Sequence, residues 1–262
     1  MARPTVRLAA LALALALALP AATLPAPAGA RGHRGGGRRH GVPGTVLLDG
    51  QPTAVRWTDG DTFAVDSGPL RGFSTRLVGY DALESYGPVH RIGTLPPEPL
   101  YAIARASAGL LAARTWACTT AGGRDGYGRA LVACPEAAAA LVRAGQAVVF
   151  AVDAPAEPAL LAAQREAQAR RAGLWAGGVP PEIVTSLHSA GERGARGRAA
   201  YDRLVDTRTG VARARPHAET YATCQEVCVG AGAALSCMVY VPFERRYRGR
   251  PACLGPPAAP GE

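Results

Sequence analysis

The run Asp59-Gly60-Asp61-Thr62 is followed by Arg76, then by Asp81-Ala82-Leu83-Glu84, and later by Asp125-Gly126-Tyr127-Gly128-Arg129. An Asp-Gly pair between β-prone runs is by itself only a tight turn. The continuation adds chemistry. Asp61 and Asp81, two carboxylates at strand ends, could offer hard oxygen ligands to a cation such as Ca²⁺, which tolerates irregular geometry and keeps waters. A third carboxylate, Glu84, could orient one of those waters. Arg76 and Arg129 would put positive charge on the equatorial oxygens of a phosphoryl group, which completes what phosphoryl transfer requires without a covalent nucleophile. The competing reading is a set of surface ion pairs on turns.

Such a constellation needs strands to position it. Residues 45–48, 53–57, 62–66 and 74–78 are short β-prone runs separated by Gly, Asp and Pro turns. Pro96-Pro97-Glu98 opens a helix that carries Leu100, Ile103, Ser107, Leu110 and Leu111 at helical spacing. Residues 114–118 and 129–134 read as the arms of a hairpin, 136–144 as a short helix ended by Gly145, and 148–152 as a strand. Glu157-Pro158 opens a third helix that stops at Gly173. The expected fold is α+β and mainly β, a small five-stranded barrel with three packed helices, because no phosphate-binding Gly loop follows a strand.

The flanks differ from this middle. Residues 1–30 read as a secretory signal, with Arg3 and Arg7 before an apolar run, Pro20 breaking it and Ala28-Gly29-Ala30 for cleavage. An uncleaved anchor is the alternative. No later apolar run is long enough to span a bilayer, so the mature chain is expected to be exported, secreted or periplasmic, with no membrane contact. Residues 31–44 read as a flexible Gly/Arg-rich arm, 45–185 as the barrel domain and 186–262 as a disulfide-held extension, accessory to the barrel. In an oxidising compartment the six Cys read as three disulfides. Cys118 and Cys134 could face each other across the hairpin, and Cys224, Cys228, Cys237 and Cys253 would pair among themselves in one of three ways. A zinc site is their rival reading.

The formal net charge is +9, every cation being Arg. Counted by segment, residues 45–185 carry −1, while 31–44 and 186–262 carry +4 each. Long-range attraction to a polyanion would therefore come from the flanks, whose removal is expected to weaken binding and flatten its salt dependence.

Taken together and in order, the runs quoted above and the helix from Gln164 to Trp175 resemble the thermonuclease family, the staphylococcal nuclease-like proteins, over about residues 45–176. The resemblance implies an OB-type barrel with three helices and Ca²⁺-dependent hydrolysis of DNA and RNA that leaves 3'-phosphates. Mg²⁺ or another divalent cation is a further option. By position it implies that Asp61, Asp81 and the Ala82 carbonyl hold the metal and that Glu84 holds or deprotonates the attacking water. Arg76 and Arg129 would clamp the phosphate, Tyr127 would lie beside a base or sugar, and Asp59 and Thr62 would support the metal ligands from behind. Leu83 stands where the family commonly has Pro, Gly126 where some members have Lys, and Phe150 is all that survives of the family's aromatic strand before the last helix.

Two function classes follow: an exported nuclease acting as a monomer on DNA and/or RNA, or a non-catalytic OB-fold module that binds nucleic acid or another anionic polymer. A pure binding module need not keep the ligand and clamp positions, and all five are present. His90, just past Glu84, offers a general base or metal ligand for some other nuclease design.

Overall fold

The computed structural model describes residues 40–152, 155–192, 199–247 and 249–255, all of them within one compact unit. The signal segment and residues 31–39 of the arm lie outside the described residues. The arm was expected to reach residue 44, but β1 (Val42–Leu48) already begins at Val42, where pairing with β2 (Gln51–Trp57) along the whole strand recruits it into the sheet.

From there short strands curl into the expected kind of barrel. β1 and β2 are joined to β3 (Phe63–Val65), β4 (Thr75–Leu77), β7 (Trp116–Arg124) and β8 (Ala130–Ala133) in one sheet of order β3-β2-β1-β7-β8-β4. A bridge between Ala64 and Ser74 ties its two ends and nearly closes it. The sheet has six strands rather than the expected five. The strand starting at Thr75 bends at Gly79 (φ +92°), so β4 pairs with β8 while β5 (Gly79–Ala82) leaves to pair with β9 (Ala147–Phe150). Alternating residues of β1, β2 and β3 turn inward and bury Val46, Val55, Trp57, Phe63 and Val65 with Trp116 and Leu111, as period-two patterning demands.

The three helices are α1 (Pro97–Ala112), α2 (Pro135–Arg143) and α3 (Pro158–Ala169), each with Pro in its first turn, where the missing N–H costs nothing. The hairpin disulfide Cys118–Cys134 forms as the spacing allowed.

The C-terminal region is more ordered than its composition suggests. β10 (Glu182–His188), β11 (Ala200–Asp206) and β12 (Ala212–His217) form an antiparallel sheet, and β10 runs through the boundary expected at residue 185. β13 (Glu226–Val229) and β14 (Ser236–Val239) pair with each other, and β14 pairs antiparallel with β6 (Val89–Ile92), a strand not anticipated from sequence. Arg91 on β6 donates to both oxygens of Glu226 at 2.7 and 2.8 Å. Ile183 and Val205 share a core with Leu83, Ile92, Leu100 and Trp175. Cys224–Cys253 and Cys228–Cys237 are the pairs chosen from the three possibilities, so the Glu226, Cys228 and Cys237 group offers no thiolate to a zinc ion. Among the described residues no helix is long and apolar enough to cross a membrane.

Candidate active site

The turn between β2 and β3 carries Asp59, Asp61 and Thr62. The Thr58 N–H donates to the Thr62 carbonyl at 2.9 Å, and Asp59 folds back to accept the Asp61 N–H at 3.0 Å, the local bond that makes Asp common in such turns. Gly60 is required by contact: a Cβ there would sit 2.6 Å from the Cβ of Ala82 and 3.1 Å from that of Ser107. The Tyr80 hydroxyl holds the same turn by donating to the Gly60 carbonyl at 2.7 Å. Pressed in this way against β5, Asp61 accepts the Ala82 N–H at 2.9 Å on one oxygen and the Thr62 hydroxyl at 3.1 Å on the other. The Asp61 carbonyl in turn takes the Leu77 N–H at 2.8 Å, which fixes the turn to β4.

Arg76 on β4 then lies between the two aspartates. One guanidinium nitrogen is 2.5 Å from Asp61, and the other donates to Asp81. Both carboxylates thus converge on one cation. Glu84 follows β5, half-buried, and among the described residues it accepts no hydrogen bond and makes no ion pair. The chain leading to Glu84 is held by Leu83, which is buried in the core with Ile92, Leu100 and Trp175 and so replaces the rigidity of a ring with the anchoring of an apolar side chain.

The second arginine arrives on the β7–β8 connection. Asp125 caps this loop, taking the N–H groups of Tyr127 and Arg129 at 2.9 Å each and the Arg129 Nε at 2.6 Å. Arg129 reaches the acidic group only through Thr62, 3.4 Å from its hydroxyl. Tyr127 stands exposed at the loop tip, its ring 5.7 Å from the Arg129 guanidinium. Asp59, Asp61, Thr62, Arg76, Asp81, Ala82, Glu84, Tyr127 and Arg129 therefore gather at one end of the barrel. His90 does not join them. It is buried on β6 opposite Met238 of β14, with no partner on either ring nitrogen, and burial pushes its pKa down to about 4.

Electrostatically the site is short of positive charge. Burial, then repulsion by Asp61 and its neighbours, raises Glu84 to about 8, and burial with Asp61 raises Asp59 to about 7. Burial raises Asp81 too, although Arg76 opposes it. Burial lowers the pKa of Arg76, but Asp61 and Asp81 outweigh it and hold the pKa well above the usual value. Four carboxylates share one directly paired arginine, since Arg129 is committed to Asp125. A divalent cation with oxygen preference suits this deficit. Among the described residues no three acidic side chains at this end of the barrel bring their oxygens within 4.8 Å of one another, so an ion taken up in this arrangement could not draw on three carboxylates at once and would need carbonyl or water oxygens as well.

Sequence reasoning missed what the C-terminal region adds. The Tyr247 N–H donates to the Tyr86 carbonyl at 2.8 Å and the two rings stack at 5.8 Å, just past Glu84. Tyr247 feels Glu84 and Asp59, which with burial raise it to about 12. Arg246 packs against Gly87 and pairs with Glu192 at 3.2 Å. These residues carry no motif, and they follow β14, whose pairing with β6 runs beside the site.

Residues 75–177 match a family model described as staphylococcal nuclease homologue, less than half of the chain but with Arg76, Asp81, Ala82, Glu84, Tyr127 and Arg129 inside it. Asp59, Asp61 and Thr62 lie before the matched segment. No curated protein and no solved structure matches the chain.

Proposed function

With a segment similar to the staphylococcal nuclease homologues, a family whose members are in general nucleases, lying across this site, we propose that the protein is an exported Ca²⁺-dependent nuclease that hydrolyses phosphodiester bonds of DNA and possibly RNA. The observation that carries the reading is the convergence of Asp61 and Asp81 on one cation beside the unpartnered Glu84. Asp61, Asp81 and the Ala82 carbonyl would hold the metal, which when bound supplies Lewis-acid polarisation of the phosphoryl oxygen.

The chain's own residues account for the rest. Glu84 holds the attacking water and takes its proton as the oxygen–phosphorus bond forms, and the bond to the leaving sugar oxygen breaks as that oxygen takes a proton from a solvent water. Arg76 spends two of its five N–H donors on the aspartates and keeps the others for the equatorial oxygens. Arg129, oriented by Asp125, meets the same phosphate from the β7–β8 loop. Thr62 links Arg129 to Asp61 and keeps the two halves of the clamp in register. Export is supported by the signal-like leader and by three disulfides, which persist in oxidising compartments.

Digestion of single-stranded DNA, duplex DNA and RNA, each with Ca²⁺, Mg²⁺ or chelator, is the test. Cleavage with Ca²⁺ and none with chelator is expected. Replacing Glu84 by Gln is expected to lower kcat by about 10²–10⁴-fold with little change in KM. A folded protein that cleaves nothing under any divalent cation would leave only the binding-module reading.

A further inference from the structure

Five planar side chains run in sequence between the two clamp arginines. The Arg76 guanidinium lies 5.9 Å from the Phe150 ring, and Arg203 covers that ring at 5.7 Å. Arg203 is also 5.5 Å from the Tyr201 ring, on which His188 stacks at 4.3 Å. The His188 Nδ1 faces the Tyr201 carbonyl at 3.2 Å and so carries the proton, which leaves Nε2 to accept from the Tyr127 hydroxyl at 3.4 Å. Tyr127 then lies 5.7 Å from Arg129. Three of these groups, His188, Tyr201 and Arg203, come from β10 and β11, beyond the segment that matches the nuclease family.

The strip keeps a face toward solvent. Tyr127 is 70 % exposed, and Phe150, Arg203, Tyr201 and His188 are only half-buried. Arg203 has no carboxylate within 4.0 Å among the described residues, and Asp81 lies close enough to feel its charge. Residues 45–185 are net negative, and Arg203, from beyond them, adds a cation beside the site. Alternating aromatic rings and guanidinium groups stack bases regardless of sequence, provided that the bases are unpaired.

We propose that His188, Tyr201 and Arg203 form a binding rail for single-stranded polynucleotide, the rings stacking bases and Arg203 contacting a phosphate next to the scissile one. The inference rests on the nuclease reading for its placement but is separable from it by experiment. Under it, β10 and β11 supply the stacking surface that the barrel reduces to Phe150, and the extension belongs to the substrate channel.

The test uses the full chain, its Tyr201→Leu, Tyr201→Phe and Arg203→Gln variants, and two substrates: an oligothymidylate of about ten nucleotides, within the span of such grooves, and bis(4-nitrophenyl) phosphate, which has a single phosphate and no neighbouring nucleotide. Tyr201→Leu and Arg203→Gln are each expected to raise KM for the oligonucleotide about tenfold, and Tyr201→Leu, which removes no charge near Asp81, to keep turnover of the small ester within about twofold of the unmodified protein. Tyr201→Phe should restore oligonucleotide KM. Arg203→Gln should also reduce the slope of log affinity against log salt by about 0.7, the contribution of one phosphate contact on a single strand. Equal changes on both substrates in Tyr201→Leu would mean a structural role and overturn the rail, as would unchanged oligonucleotide KM. Should the unmodified protein cleave neither substrate, the nuclease reading fails on its own. Anisotropy of labelled oligothymidylate then decides the rail: weaker binding by Tyr201→Leu and Arg203→Gln upholds it, while equal binding, or none by the unmodified protein, overturns it.

Discussion

At the residue scale, Glu84 and His90 show how little separation in sequence decides a side chain's role. Glu84 ends half-buried at the mouth of an acidic site, while six residues later His90 is enclosed by β14 with both nitrogens unsatisfied. That burial has a measurable sign. The imidazole has its ordinary pKa near 6.5 in the unfolded chain and about 4 in the fold, so between these values the unfolded chain binds more protons. His90 therefore costs no protonation energy above pH 6.5, and its contribution turns against the fold as pH falls, reaching about 3 kcal/mol near pH 4. His188, also pushed down to about 4 by burial and by Arg246, adds in the same direction. Replacing His90 by Leu should leave stability at pH 7 equal or higher, since two unsatisfied polar atoms vanish, and should narrow the loss on going to pH 4. Urea titrations at the two pH values measure both effects; a parallel decline in the two proteins would contradict the burial argument.

At the element scale, the site rests on glycines where backbones touch. Gly145 ends α2 at φ +65°, and a Cβ there would lie 2.1 Å from the Ala172 carbonyl oxygen; Gly173, at φ +54°, would put its own 2.2 Å from the Gly145 carbonyl oxygen. This mutual contact sets Trp175 into the core that also holds Leu83, and so supports Glu84. Gly145→Ala is expected to destabilise the protein by about 2 kcal/mol or more, from the left-handed backbone and the clash together, read as a lower denaturation midpoint at unchanged m. Gly145 was legible in the sequence as a helix end, and so were the three helices, the hairpin and the strands from 45 to 66, because each depends on local period, turn chemistry or a cap; α3 ends at Ala169, short of the stop expected at Gly173, which instead opens a 3-10 turn. The candidate site residues Asp61, Arg76, Asp81, Glu84 and Arg129 stood out by the order of the short runs that carry the resemblance, and the fold brings them to one end of the barrel. β11 and β14 overlap the two stretches of the C-terminal region, 201–209 and 237–243, that read as ordered, while β5, β6, β10, β12 and β13 were not legible. Their formation is decided by partners far along the chain, such as Val89 with Val239, and no local pattern encodes such a partner. His188, Tyr201, Arg203 and Tyr247 were invisible as site residues on the same account.

At the scale of the whole molecule, the C-terminal strands and the barrel share cores and a sheet, so they should not melt independently. Calorimetry is expected to give one transition with calorimetric and van't Hoff enthalpies in agreement, and reduction of the three disulfides should move that transition down by roughly ten degrees or more without splitting it, each bridge being worth about 2–4 kcal/mol. Two resolved transitions would show a barrel that stands alone. The pairing of β6 with β14 carries one more consequence, about time. Residues 89–92 wait for residues 236–239, so a chain emerging from a ribosome or a translocation channel presents the barrel residues long before it presents the strand that covers His90. Contacts of such long sequence separation form late. The acidic site, with Tyr247 stacked beside Glu84, is therefore completed only when nearly the whole chain has been released, and an unfinished chain lacks its finished form.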